Sequence, residues 1–205
     1  QTGTITLDKS ITIRGLRYFN KPLLNVNFEI VAGAVDVALI DLNLQGNGAG
    51  SEALTDAIRY TGAGNYNSLL ISGCEVHDFA RSFVAGNETG AILQDLTVEN
   101  SIVYNVFTGG GDFIDFRNSD VLNVTLKTST FYNCAVGRDF LRLDDAGTST
   151  QTGLTLTVTI DSCTIYSCST SGKRILYVRF QTNEIIVKNT IFAETDGYYS
   201  DQSRT

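Results

Sequence analysis

Arginine, aspartate and tyrosine recur at matched places in three short apolar runs, FIDFR at 113–117, FLRLD at 140–144 and ILYVRF at 175–180. Successive residues of an extended chain point to opposite sides. Aligned, the runs put Ile114 and Phe116, Leu141 and Leu143, and Leu176 and Val178 on an inner side. The outer side then carries three columns: Phe113, Phe140 and Ile175; Asp115, Arg142 and Tyr177; Arg117, Asp144 and Arg179. These residue types suit an acidic carbohydrate. Guanidinium groups pair bidentately with uronate carboxylates, aspartates accept sugar hydroxyls, and an aromatic ring packs on a pyranose face. β-Elimination needs a base for the proton alpha to the uronate carboxylate and a second positive group to neutralise that carboxylate. Arg142 and Arg179 are the expected catalytic pair, with Asp115, Arg117, Phe140, Asp144 and Tyr177 holding substrate. Asp145, Lys173 and Arg174 flank this set, and Arg59 and Asn87 belong to earlier rungs of the same face.

The same charges have a plainer use. Asp115 would lie beside Arg142, and Arg117 beside Asp144 and then Arg179, so opposite signs alternate as cross-strand pairs that hold neighbouring strands together. Hydrolysis would need two carboxylates about 5–9 Å apart. Asp115 and Asp144 could meet that distance, but the polygalacturonase-type NTD, GHG and RIK motifs are missing from the sequence. The one histidine, His77, falls on a different strand and is expected to be ordinary surface. Asp112, Asp139, Asp144 and Asp145 are oxygen donors near one edge, yet no spacing matches an EF-hand or nonapeptide loop, so no metal is assigned and calcium, the ion that the lyases of the superfamily resembled below commonly hold, is left open. The glycines at 109–111 lack the Lys-Ser/Thr of a phosphate loop and read as a bend before a strand.

What positions these residues is a repeat. VTLKTSTFYNC at 124–134 and VTIDSCTIYSC at 158–168 are two copies of one phrase. Taking the aliphatic residue before the polar kink as a marker gives Ile71, Val98, Leu126, Ile160 and Val187, spaced 27, 28, 34 and 27 residues apart. Ile40 and Ile13 extend the series toward the N-terminus. Two residues after each marker stand Gly73, Asn100, Thr128, Ser162 and Asn189, types that tolerate or locally bond a left-handed backbone and so mark a tight bend. Three and five residues after it come small and then bulky positions of an inward face, Cys74, Ser101, Ser129, Cys163 and Thr190, then Val76, Val103, Phe131, Ile165 and Phe192. About three short strands per period, with no helical periodicity and Pro22 the single proline, point to a right-handed parallel β-helix of about seven coils. A leucine-rich repeat would need a helical return where this chain has β-branched residues, and a β-sandwich would not give identical columns.

The coil arrangement also bears on the cysteines. Cys74 and Cys163 share an inward column three coils apart, roughly 14 Å, beyond disulfide reach. Cys134 and Cys168 share a column on adjacent coils, where a bridge and two stacked free thiols are equally permitted. Tyr104, Tyr132 and Tyr166 form an outward column that either stacks to hold register or offers a sugar platform.

The 205 residues, 42% of them apolar, fit one elongated domain spanning 1–205. A net charge of −7 disfavours nucleic acid, whose binding rests on Lys and Arg. No run reaches eighteen apolar residues, so no membrane span is expected. With no methionine and Gln at position 1, the sequence reads as part of a longer chain. GTITLDKSITIRGL at 3–16 and the VENSIVYN and VKNTIFAE phrases resemble the pectate-lyase-like β-helix superfamily, and nearly the whole chain resembles secreted domains of that kind from glycan-degrading Gram-negative bacteria. That resemblance implies a monomeric protein at an extracellular, surface or periplasmic location. It also implies a polysaccharide or oligosaccharide partner bound along the FIDFR strand and its stacked neighbours. It leaves two function classes: a polysaccharide lyase acting on a uronate-containing glycan, or a non-catalytic glycan-binding or structural module.

Overall fold

The computed structural model describes residues 2–16, 19–49, 54–144, 154–179, 182–196 and 199–201. Twenty-one short strands stack in parallel into a β-helix of about six turns, close to the seven coils expected, with no helix among the described residues. The first face stacks seven strands: Ile11–Arg14, Asp36–Ile40, Gly64–Ser72, Ala91–Glu99, Asp120–Lys127, Thr155–Asp161 and Thr182–Lys188. The second face stacks Asn43–Gln45, Glu75–His77, Ile102–Val106, Thr130–Cys134, Thr164–Tyr166 and Ile191–Ala193. The third stacks Asp56–Tyr60, Ser82–Gly86, Ile114–Phe116, Leu141–Leu143, Leu176–Val178 and Tyr199–Asp201. The long strand Leu23–Ile30 joins the second and third faces, pairing at its start with Asn43–Leu44 and at its end with Ile58–Tyr60. Thr2–Leu7 pairs along its outer edge.

Register explains why the repeat folds this way. Ile71, Val98, Leu126, Ile160 and Val187 fall in one column of the first face, as their spacing requires. The preceding member is Leu39 and not Ile40, because Leu39 pairs with Ile71 while Ile40 pairs with Ser72 and points outward. A one-residue slip inverts the face a side chain takes. Ile13 keeps its place, opposite Leu39. Leu39, Ile71, Val98, Leu126 and Ile160 have no exposed surface, and their burial drives the stacking.

The bend is built by conformation and by hydrogen bonding together. Asp41, Gly73, Asn100, Thr128, Ser162 and Asn189 all take left-handed backbone, with φ between 49° and 64°. Each of the first five donates its N–H across to the next coil, to the carbonyls of Ser72, Glu99, Lys127, Asp161 and Lys188 in turn. The small residue that follows turns inward and bonds back over the bend. Ser101 and Ser129 Oγ donate to the carbonyls two residues earlier, and Cys74 and Cys163 Sγ make the same contact at 3.5 and 3.4 Å. Cysteine here substitutes for serine.

On the third face, Phe28, Ile58, Val84, Ile114, Leu141 and Leu176 form one inward column, and Ile30, Tyr60, Gly86, Phe116, Leu143 and Val178 the other. Gly86 lies between two large rings. A Cβ there would come within 2.5 Å of the Phe116 ring, which leans back toward Tyr60 with ring centres 6.3 Å apart.

Candidate functional site

The outward column of the third face runs Glu29, Arg59, Ala85, Asp115, Arg142, Tyr177. Asp115, Arg142 and Tyr177 are therefore brought together as expected, and Arg59 is two rungs before Asp115. Arg117, Asp144 and Arg179 follow one column over, joined through backbone bonds from Asp144 N to Phe116 O and from Arg179 N to Leu143 O. The expected placement fails at Phe113, Phe140 and Ile175. They are buried, and Phe113 stacks on Phe140 with centres 4.5 Å apart while Phe131 meets both edge-on. The strands in these rungs are three residues long, so alternation does not carry back across the corner that precedes them. Phe140 has no face to offer a sugar.

The charged groups are layered. Asp112, Asp115, Asp139 and Asp144 are all buried, whereas the side chains of Arg117, Arg142, Arg174 and Arg179 remain 24–28% exposed above them. Arg117 binds Asp115 through Nε and Nη2, at 2.8 and 2.7 Å, and reaches Asp112 with Nη2 at 2.6 Å. Arg142 donates from Nη2 to Asp144 at 3.2 Å, and Arg179 stands 3.6 Å from the same carboxylate. Most of these bonds lie within one strand or reach back to its corner. The expected Asp115–Arg142 and Arg117–Asp144 cross-rung pairings give way to Arg117 on Asp115 and Arg142 on Asp144, and the Arg179–Asp144 pairing does span rungs.

Arg174, Asp112 and Asp139 matter more than their sequence placement suggested. Asp112 Oδ1 accepts the backbone N–H of Asp139, and Asp139 Oδ1 accepts that of Arg174. Each carboxylate thus caps the corner of the next coil. Asp139 also takes a bidentate bond from Arg174 Nε and Nη2, both at 2.9 Å. The Arg174 guanidinium lies 4.1 Å from the Tyr177 ring centre, and Arg142 lies 5.1 Å from it, so the ring is bracketed by two cations. The sequence signal was present in DAI at 56, DFI at 112 and DFL at 139, an aspartate two residues before the first inward aliphatic of a rung. Burial, then the neighbouring Asp115, push the Asp112 carboxyl above its ordinary range. The bond to Asp115 raises Arg117, and the bond to Asp139 raises Arg174. With their oxygens engaged by N–H groups, Asp112 and Asp139 make a poor calcium site, and no metal-holding group of three acidic, His or Cys side chains forms among the described residues. Asp145 lies outside the described residues, and Asn87 follows the short Ser82–Gly86 strand at the same edge.

The second face carries the other polar feature. His77 is not simple surface. It is buried, with Nδ1 2.8 Å from Asp78 Oδ2 and Nε2 3.0 Å from Asn43 Oδ1. Its ring stacks on Tyr104, and Tyr104 on Tyr132, each with centres 4.7 Å apart and planes within 3°. Stacking along the axis covers both faces of the Tyr104 ring, while Tyr166, in register after Tyr132, stays exposed. Tyr104 donates its hydroxyl to Glu75, and a second ladder beside it runs from Asn133 to Asn105 and from Asn105 to Asp78. This face is a register lock. The four cysteines are free and buried, and Cys134 and Cys168 are stacked thiols with no bridge between them.

Fold and site together define a parallel β-helix with one face of buried carboxylates beneath arginines. The chain belongs to a family described as a domain of unknown function, DUF4957, whose model matches residues 1–134. No curated protein and no solved structure matches it. The coils continue in register past residue 134, through Thr164–Tyr166 and Ile191–Ala193.

Proposed function

We propose that the third face binds an acidic, uronate-containing carbohydrate, in keeping with the pectate-lyase-like resemblance of the coils and the exported location that goes with it. The observation that carries this reading is the layering. The chain has a net charge of −7, yet on this face the carboxylates are withdrawn from solvent and an incoming ligand meets Arg117, Arg142, Arg174 and Arg179 around the Tyr177 ring. A partly buried guanidinium row gives local positive potential and bidentate geometry for carboxylates. Binding is favoured over β-elimination. A base must give up its proton, and both candidate bases stand against the Asp144 carboxylate, Arg142 at 3.2 Å and Arg179 at 3.6 Å.

The test uses Arg142→Gln and Arg179→Gln at low salt, with oligogalacturonate as probe. Affinity should fall about tenfold or more, since each change removes a charge-assisted contact, while stability falls by about 1–3 kcal/mol because each change also withdraws a donor from the buried Asp144 carboxylate. Unchanged affinity in both variants would make the ladder purely structural. Formation of ultraviolet-absorbing unsaturated uronates by the wild type would restore the lyase reading.

A further inference from the structure

The corner between the first and second faces of the opening coil does not lie flat. Its base is pinned on both sides, since Gly15 donates its N–H to Ile40 O at 2.8 Å and Pro22 O accepts from Asn43 N–H at 3.1 Å. The two ends also meet. A Cβ on Gly15 would stand 2.8 Å from Pro22 Cδ and would collide with Asp41 O. Between these ends the chain leaves the stack as a short closed loop. Leu16 in it is 99% exposed and Phe19 98%, whereas no other large apolar side chain among the described residues passes 62%. Both stand almost wholly in solvent, although their burial elsewhere would be favourable.

Positive charge gathers at the same place. Lys9, Arg14, Arg17 and Lys21 stand between residues 9 and 28 without one Asp or Glu, in a chain with 15 basic and 22 acidic residues. Arg14, exposed at the end of the Ile11–Arg14 strand, and Lys21 flank the loop at its base. A hollow of about 350 Å³ opens there, lined by Arg14, Gly15, Leu16, Asn20 and Pro22. The acid on this corner of the next coil is Asp41, whose carboxylate lies against Gly73, on the side away from the loop. Apolar tips above a cationic base match the boundary of an anionic bilayer, where acyl chains take the tips and phosphates the cations. A free phosphate would occupy the hollow and leave Leu16 and Phe19 in water. The net charge of −7 would turn the rest of the chain away from such a surface.

We propose that Leu16 and Phe19, over Arg14 and Lys21, dock the opening coil onto an anionic phospholipid surface. The two side chains enter the acyl boundary, and a lipid phosphate sits in the hollow beside the Arg14 guanidinium. The contact is peripheral and does not span the bilayer. It stands apart from the third face and does not rest on the carbohydrate reading given above.

The experiment floats the whole chain with vesicles of phosphatidylcholine alone and of phosphatidylcholine mixed with phosphatidylglycerol, at low salt. The mixed vesicles should hold the protein about tenfold more strongly than the neutral ones. Changing Leu16→Ser and Phe19→Ser together should weaken that binding by about tenfold or more and leave the melting temperature alone, since both side chains are in solvent. Arg14→Gln should weaken it at low salt and match the wild type at high salt. The chain has no tryptophan, so Phe19→Trp supplies a single indole. Its emission should shift to the blue on mixed vesicles and be quenched by brominated acyl chains. Equal binding by the Leu16 and Phe19 double variant, an indole that neither shifts nor is quenched, or competition by sn-glycerol 3-phosphate overturns the proposal, the last in favour of a free phosphate. Absence of binding to mixed vesicles also overturns it and leaves a protein as the partner of the loop. The double variant should keep the wild-type affinity for oligogalacturonate, so the two proposals fail independently.

Discussion

The two halves of the third face use the same residue types to different ends. From Asp112 to Arg179 the aspartates cap the next coil and anchor arginines, and Arg117 and Arg174 each bond a carboxylate through more than one N–H. At Asp56 the partners stand further off, with Arg81 3.7 Å from the carboxylate, and burial outweighs the pull of Arg81, Arg59 and the Ser82 hydroxyl. A buried carboxylate stabilises a fold only when its donors are in place; without them its desolvation is a cost. The first half of the contrast is structure made from charge, and the second is a charge that the structure carries at a cost.

The sharpest way to break this contrast is a matched pair of substitutions. Asp139→Asn should cost about 2–3 kcal/mol in urea unfolding, because it disarms a bidentate partner of Arg174 and weakens a corner cap, with the figure held down by the exposure of Arg174. Asp56→Asn should cost nothing measurable or should stabilise. Equal losses in the two would show that Asp56 is as fully employed as Asp139.

A smaller effect appears as a slope against pH. Burial raises the Asp56 carboxyl above its ordinary 3.8, against the opposing pull of Arg81 and Arg59. Between 3.8 and the higher folded value the native state keeps a proton that the unfolded chain has lost, so this site costs stability as pH rises. The Asp56→Asn variant escapes that cost. Its advantage over wild type should therefore be least below pH 3.8 and grow as pH increases, and thermal melts from pH 3 to 7 would show it. Asp78 and Glu99, which are lowered, act oppositely and lose their contribution as pH falls, but they do so equally in both proteins. In Asp78, hydrogen bonds led by Asn105 and His77 outweigh the largest single influence, burial.

The smallest expected effect is a control outside the face. Cys163→Ser should change stability by less than about 1 kcal/mol, since Ser101 and Ser129 already make the same bond over the bend. A large loss in urea unfolding would show that the sulfur packs in a way that the serine columns do not share.

The coils were legible because each position in them has a local cause. Gly73, Asn100, Thr128, Ser162 and Asn189 are types that tolerate left-handed backbone, and all five adopt it. The column member at this coil is Leu39 and not Ile40, one residue off, because the two adjacent residues are equally apolar markers. The columns of Asp115, Arg142 and Tyr177 were also readable, since period-two alternation holds through a strand. It does not hold around a corner, which is why Phe140, outward by alternation, is instead stacked on Phe113. Burial of the aspartates and pairing of His77 with Asn43 depend on neighbours 27 or more residues away, and no local pattern announces them.

The contact between Gly86 and the Phe116 ring has an evolutionary corollary. Two positions 30 residues apart in sequence share one volume, so neither is free to vary by itself: a side chain gained at 86 has to be matched by bulk surrendered at 116. Among descendants of a common ancestor these sites should change as a linked pair, glycine accompanying a large ring and a larger residue accompanying a smaller partner, a signature of shared space that selection on either residue alone would not leave.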